Sequence, residues 1–159
     1  MLYLWLKYIH ILSSTILFGT GIGTACIMLY GHLKKDIVVM GAINEYVVVV
    51  DWIFTGSTMI VQPLTGLAMV YISGFPLTSF WIMGSLIAYG FALLCWLIVV
   101  YLQIKIRNLT SYAAKTRTPL PKAYYTYFKS WFILGWPALI SLLIVFYLMT
   151  FKPYQVPFL

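Results

Sequence analysis

Four side chains of this sequence are best suited to chemistry, His10, Lys7, Gln62 and Trp136, and all stand in or beside long apolar runs. His10 lies seven residues beyond Tyr3, about 10 Å along a helix, and an ionisable group at that depth of an apolar span is a functional-site candidate by default. It can ligate a haem iron, exchange a proton, contact a quinone, or stay neutral and hydrogen-bond a neighbouring helix. Lys7, one turn earlier on the same face, can snorkel outward or pair with a cofactor propionate. His32 is 22 residues further on, roughly 33 Å along a straight helix, so the two histidines cannot clasp one haem within a chain.

Two prolines sit inside apolar runs, in Gln62-Pro63 and Gly135-Trp136-Pro137. Each frees a backbone carbonyl and is expected to kink its helix, and the buried Gln62 amide needs a partner. Asp51 is expected at the point where a second span enters the membrane, as a cap or an interfacial charge. Met59, Met69 and Met83 carry thioethers able to occupy an axial position on haem, although packing is their ordinary use. The run from Gly19 to Gly23 has the wrong spacing and setting for a phosphate loop, and its glycines are expected to allow close helix approach. The sequence holds no zinc-type Cys/His cluster, serine triad or intramembrane carboxylate pair.

The elements that position these groups follow from composition. The chain of 159 residues is 63% hydrophobic and 8% charged, with a mean hydropathy of +0.96, whereas soluble domains carry about 25% charge. That excludes a cytosolic enzyme, a disordered tail and a secreted mini-protein. Four spans are expected, at about 3–30, 51–72, 78–103 and 130–151, each long enough for about 30 Å of hydrocarbon. Residues 37–50 read as a juxtamembrane helix, and the whole as a single transmembrane domain. The fold class is all-α, an integral membrane four-helix bundle with antiparallel neighbours. The first run begins at the second residue, lacks a basic flank and outruns a signal peptide, so it is expected to remain as a span.

Lys34, Lys35, Lys105, Arg107, Lys115, Arg117, Lys122 and Lys129 are eight of the ten basic residues, and they fall in the first and third connections. The net charge of +7 therefore reflects topology, with both connections cytoplasmic and both termini outside, and not nucleic-acid binding. Tyr3, Trp5, Tyr8, Phe80, Trp81, Tyr147 and Tyr154 are expected to form the outer aromatic belt, and Tyr30, Trp52, Tyr101 and Trp131 the inner one. Cys26 and Cys95, both within apolar runs, read as small hydrophobes and not as a disulfide.

Gln62-Pro63-Leu64-Thr65-Gly66, Cys95-Trp96-Leu97 with Leu102-Gln103, and Leu120-Pro121 through Leu134-Gly135-Trp136-Pro137-Ala138 to Lys152-Pro153 resemble a bacterial family of predicted four-helix integral membrane proteins of unassigned function. That resemblance implies a fold and the bacterial inner membrane. Tyr3-Leu4-Trp5-Leu6-Lys7 with His10-Ile11, and the closing Phe151-Lys152-Pro153, resemble more distantly the HemJ-type membrane protoporphyrinogen oxidases. This second resemblance implies haem b with His10 on the iron. Ser85, Trp96 and Gly135 stand where that family supplies ionisable groups, so porphyrinogen oxidation is expected to be weak or absent.

The functional expectation is a haem b-binding inner-membrane protein in electron transfer or oxidation of a lipophilic substrate, a quinol or a porphyrinogen. There His10 ligates iron, Lys7 neutralises a propionate, and Gln62 and Trp136 shape the pocket. The competing expectation is a membrane subunit without cofactor, docking on a membrane protein partner or on copies of itself.

Overall fold

Long runs of Leu, Ile, Val and Phe give the backbone no water to bond in lipid, so each run satisfies its own N–H and C=O groups as a helix. The computed structural model describes residues 1–153. It contains α1 (Leu2–Lys34), α2 (Ile37–Val50), α3 (Ser57–Ser73), α4 (Phe80–Thr116) and α5 (Lys122–Phe151), with a π-helical segment at Asp51–Gly56. No strand occurs among the described residues. Because α2, the π segment and α3 follow one another without a turn, they make one rod, Ile37–Ser73. The chain is thus four helices, each long and apolar enough to cross a membrane.

Local chemistry sets the ends. Lys35 adopts a left-handed conformation (φ 58°) after α1, and the Asp36 carboxylate then accepts from the N–H groups of Val38 (2.9 Å) and Val39 (3.2 Å), capping α2. Gly74 (φ 70°) closes α3, a position where a Cβ would be strained. Pro119 and Pro121 keep α4 and α5 apart.

The rods outrun the expected spans. Residues 37–50 are helical, as α2, and continue directly into the span that follows. Much of the polar third connection is helical as well, since α4 runs to Thr116 and α5 begins at Lys122. A helix of 37 residues extends about 55 Å, well beyond about 30 Å of hydrocarbon, so the surplus projects at the basic end.

The main core lies toward that end, where Met28, Met40, Val47, Leu102, Ile106, Tyr124, Phe128 and Trp131 pack together. A smaller cluster of Val70, Trp81, Ile82 and Leu148 closes the terminal end. Trp131 and Trp81, expected at lipid interfaces, are therefore core residues: each belongs to a packed cluster and is 5% exposed. Trp5, Tyr8, Phe80, Tyr147, Trp52 and Tyr101 do face outward, while Tyr154 lies outside the described residues.

The glycine expectation is also corrected. A Cβ at Gly19, Gly21 or Gly23 would meet no atom within 4 Å, so the backbone makes no close approach there; Gly19 and Gly23 instead line an open groove against Tyr46, Val50 and Phe54. Close approach occurs at Gly41, where a Cβ would lie 3.1 Å from Ala114 and 3.4 Å from the Thr110 carbonyl, and at Gly31 and Gly84.

The helices pack unevenly around the bundle. α1 packs on α2 and α3, α2 on α4, and α4 on α5, but α1 and α5 are not a packed pair along their length. They touch where Phe18 meets Phe146 edge to face, 5.4 Å between centroids, and at the basic end, where His32 stacks on Phe128 at 3.9 Å.

Candidate functional site

Apolar helices in lipid gain little from burying one another, so polar contacts and fitted packing carry their association. Besides the bond of the Tyr89 hydroxyl to Met59 between α4 and α3, four polar centres join the helices among the described residues. Asn44 donates to Thr110 (3.2 Å) between α2 and α4, and a His32 ring nitrogen bonds the Tyr124 hydroxyl (2.8 Å) between α1 and α5. The other two lie at different depths of the membrane-spanning region.

The first is His10. Thr65 donates its hydroxyl proton to the Val61 carbonyl (2.7 Å), and His10 Nδ1 lies 2.7 Å from the same oxygen. A hydroxyl has one proton to give, so when Thr65 spends it on the Val61 carbonyl the imidazole donates from Nδ1, and Nε2 is then the nitrogen with the lone pair. Gln62 donates to the His10 carbonyl (2.8 Å) and to Ser13 Oγ, which satisfies the amide and ties α3 to α1. Gly66 admits the ring, since a Cβ there would come within 3.3 Å of His10 Cε1. Pro63 deprives the Met59 carbonyl of its helical donor, and the Tyr89 hydroxyl replaces it (2.7 Å). Lys7 is exposed one turn away. The structure thus joins His10 to Gln62 and places Trp136 elsewhere.

The second is Asp51, and here the expectation of a helix-entry cap is overturned. Asp51 is preceded by the fourteen residues of α2, so no helix begins at it, and it is 4% exposed. Its Oδ1 accepts from the hydroxyls of Thr24 (3.0 Å) and Thr55 (3.1 Å), and its Oδ2 from the Gln103 amide (2.7 Å). Three elements, α1, the π segment and α4, therefore converge on one carboxyl group, and no cation pairs with it among the described residues. Asp51 and Thr55, four residues apart, share one face within the π segment, a local irregularity that functional sites often use.

Beside this centre lies a cavity of about 360 Å³ between α1, α4 and α5. Asp51, Thr55, Gln103 and Met59 form its buried floor, and Trp96, Trp131 and Trp136 its aromatic walls. The space exists because Gly21 and Ala25 on α1 oppose Gly135 and Ala138 on α5. Ile22, Cys26, Phe132 and Trp136 are exposed at the mouth, on the side where α1 and α5 do not pack, so the cavity opens toward lipid. Two buried polar atoms at its lining residues have no partner, Gln103 Oε1 and Trp96 Nε1. Leaving such a group unsatisfied costs about 1–3 kcal/mol.

His10 does not line this cavity. It lies 14 residues from Thr24 on α1, about 21 Å along the helix. Among the described residues no three His, Cys, Asp or Glu side chains gather as a metal site. Sequence reading missed Asp51 and Gln103 as partners, because 52 residues separate them and neither carries a motif. The one available signal was a carboxylate in an apolar region.

A family described as "Predicted integral membrane protein (DUF2269)" matches residues 4–153. No curated protein and no solved structure matches the chain.

Proposed function

Because the chain belongs to that DUF2269 family of predicted integral membrane proteins, we propose that it binds a lipophilic ring compound within the bilayer, taken up sideways between α1 and α5. The observation that carries this reading is the cavity with an apolar, aromatic mouth facing lipid and a polar floor at Asp51 and Gln103. Pockets for small ligands combine these features, apolar walls with a few placed polar groups. The basic connections favour an orientation with Lys34, Lys35 and 105–129 in the cytoplasm of a bacterium and both termini periplasmic. A terminal reporter fusion active only in the cytoplasm would overturn that orientation.

The test of binding uses the protein in nanodiscs and a bromoalkylbenzene, a heavy-atom quencher of indole emission. Trp131 and Trp136 are expected to be quenched saturably. A Cβ at Gly135 meets no atom within 4 Å, so Gly135→Leu is expected to fill the space, leave the fold intact and raise the half-saturating concentration by more than about tenfold. Quenching that rises linearly in both proteins, as simple partition into lipid does, refutes the pocket.

A second reading rests on the Nε2 lone pair of His10. A ligating histidine held through Nδ1–H by a neighbouring oxygen is the usual arrangement around a metal, and His10 would hold the iron of a b-type haem in that way. Thr65 would orient the ring and Lys7 would meet a propionate. Bound haem would supply one-electron chemistry. Protein purified in mild detergent would then show a Soret band that shifts on reduction, lost in His10→Ala and kept in His32→Ala. A colourless protein that also refuses added haem removes this reading.

A further inference from the structure

The charge of the cavity specifies more than a lipophilic ligand. Asp51 is the one charged side chain that lines it, and Cys26, at the mouth, is the only other titratable one among the described residues. On α4, Tyr89 is turned to the Met59 carbonyl (2.7 Å) and Lys105 to the Tyr101 ring (5.3 Å). Glu45 and Tyr46 of α2, Tyr71 of α3 and Lys129 of α5 are exposed, and none of these six lines the cavity. A carboxylate that is 4% exposed in an apolar bundle, with no cation beside it, is neutralised by a proton or by a positively charged ligand. The hydrogen bonds given above are those of the ionised group, and the same geometry holds the acid. Thr24 Oγ lies 3.0 Å from Asp51 Oδ1 and 2.9 Å from the Thr20 carbonyl. In the acid form Oδ1–H donates to Thr24, which turns its own proton to Thr20, and no backbone need move.

We infer that the ligand is a lipophilic aromatic monocation, and that it enters in exchange for a proton on Asp51. The inference rests on the pocket proposed above and names its ligand class. Trp96, Trp131 and Trp136 line the cavity, and the face of an indole is the best aromatic partner for a cation. Asp51 supplies the opposite charge, and its attraction needs no direct contact where the surroundings are hydrocarbon and little screens it. The exchange balances: the acid and the free cation give the carboxylate, the bound cation and one proton released to water. Thr24 then turns its proton back to Oδ1.

Displacement of the bromoalkylbenzene from the nanodisc protein tests this with two competitors of equal tail and shape, a para-alkylphenyltrimethylammonium ion and its neutral tert-butyl analogue, compared at equal mole fraction in the bilayer. The cation is expected to displace the probe at mole fractions at least about tenfold below the neutral analogue. It is also expected to release close to one proton per site, read with a pH indicator in weak buffer, and to bind less well as the pH falls. Asp51→Asn removes the charge and keeps a hydrogen-bonding group, so it is expected to erase both the preference for the cation and the proton release. Displacement by the neutral analogue at least as good as by the cation, with the probe still saturating, overturns the cation and leaves the pocket standing. A preference for the cation without proton release overturns the exchange. A probe that never saturates overturns the pocket and the inference together.

Discussion

Asp51→Leu is expected to lower the thermal midpoint of the detergent-purified protein by several degrees and to abolish binding in the α1/α4/α5 cavity. The change removes the acceptor of Thr24, Thr55 and Gln103. Thr24 can fall back on the Thr20 carbonyl (2.9 Å). Thr55 and the Gln103 amide have no second acceptor in this structure, and two stranded buried donors at about 1–3 kcal/mol each destabilise the protein by about 2–6 kcal/mol in all. Asp51→Asn separates charge from hydrogen bonding. Its carbonyl still accepts from the threonines, and a flipped Gln103 accepts from its amide, so this variant is expected to lose less than half as much. An Asp51→Leu protein as stable as the parent would mean that the polar centre does not hold the three elements together.

The second large effect contrasts two glycines. Gly41→Leu is expected to destabilise the protein by about 1–3 kcal/mol or more, because overpacking must push α2 from α4. A first carbon there already lies 3.1 Å from Ala114 Cβ and 3.4 Å from backbone, and the neighbouring Asn44–Thr110 bond would open with it. Gly19→Leu adds a Cβ that meets no atom within 4 Å, at an open groove beside Tyr46, Val50 and Phe54, and is expected to shift stability by less than about 0.5 kcal/mol. Unfolding midpoints of the two variants, measured side by side, check the order. The reverse order would show that the Gly19 face is packed in the membrane by something outside the chain.

That contrast marks how far the sequence could be read. Gly19 and Gly23 carry the small-residue spacing associated with helix contact, while Gly41 stands alone in a valine-rich stretch with no pattern around it. Spacing says which residues share a face of one helix. It does not say which face meets a neighbour, and in an all-apolar helix no polar stripe distinguishes the lipid side from the protein side.

The chemistry divides in the same way. His10 and Gln62 were legible because a polar group in an apolar span is conspicuous, and the structure joins them through the Gln62 bond to the His10 carbonyl. Trp136 was conspicuous too, yet it lines the cavity beside Asp51, away from His10. Asp51 was visible but misplaced, since a charge next to an apolar run reads as the run's boundary, and only the unbroken helix before it shows otherwise.

By itself the sequence determined the solvent, the helical class and the four crossings, because hydrocarbon leaves a backbone no other way to satisfy its hydrogen bonds, and that demand acts on each segment separately. It also determined that both termini lie at one end and eight of the ten basic residues at the other, a matter of counting crossings. Only the tertiary structure decided that α1 and α5 meet at Phe18–Phe146 and at His32 without packing between, and that Thr24 and Gln103 converge on Asp51. Those outcomes depend on which rods approach one another and at what rotation. In lipid that choice is made by side-chain fit and a few hydrogen bonds between distant residues, and neither leaves a period in the sequence.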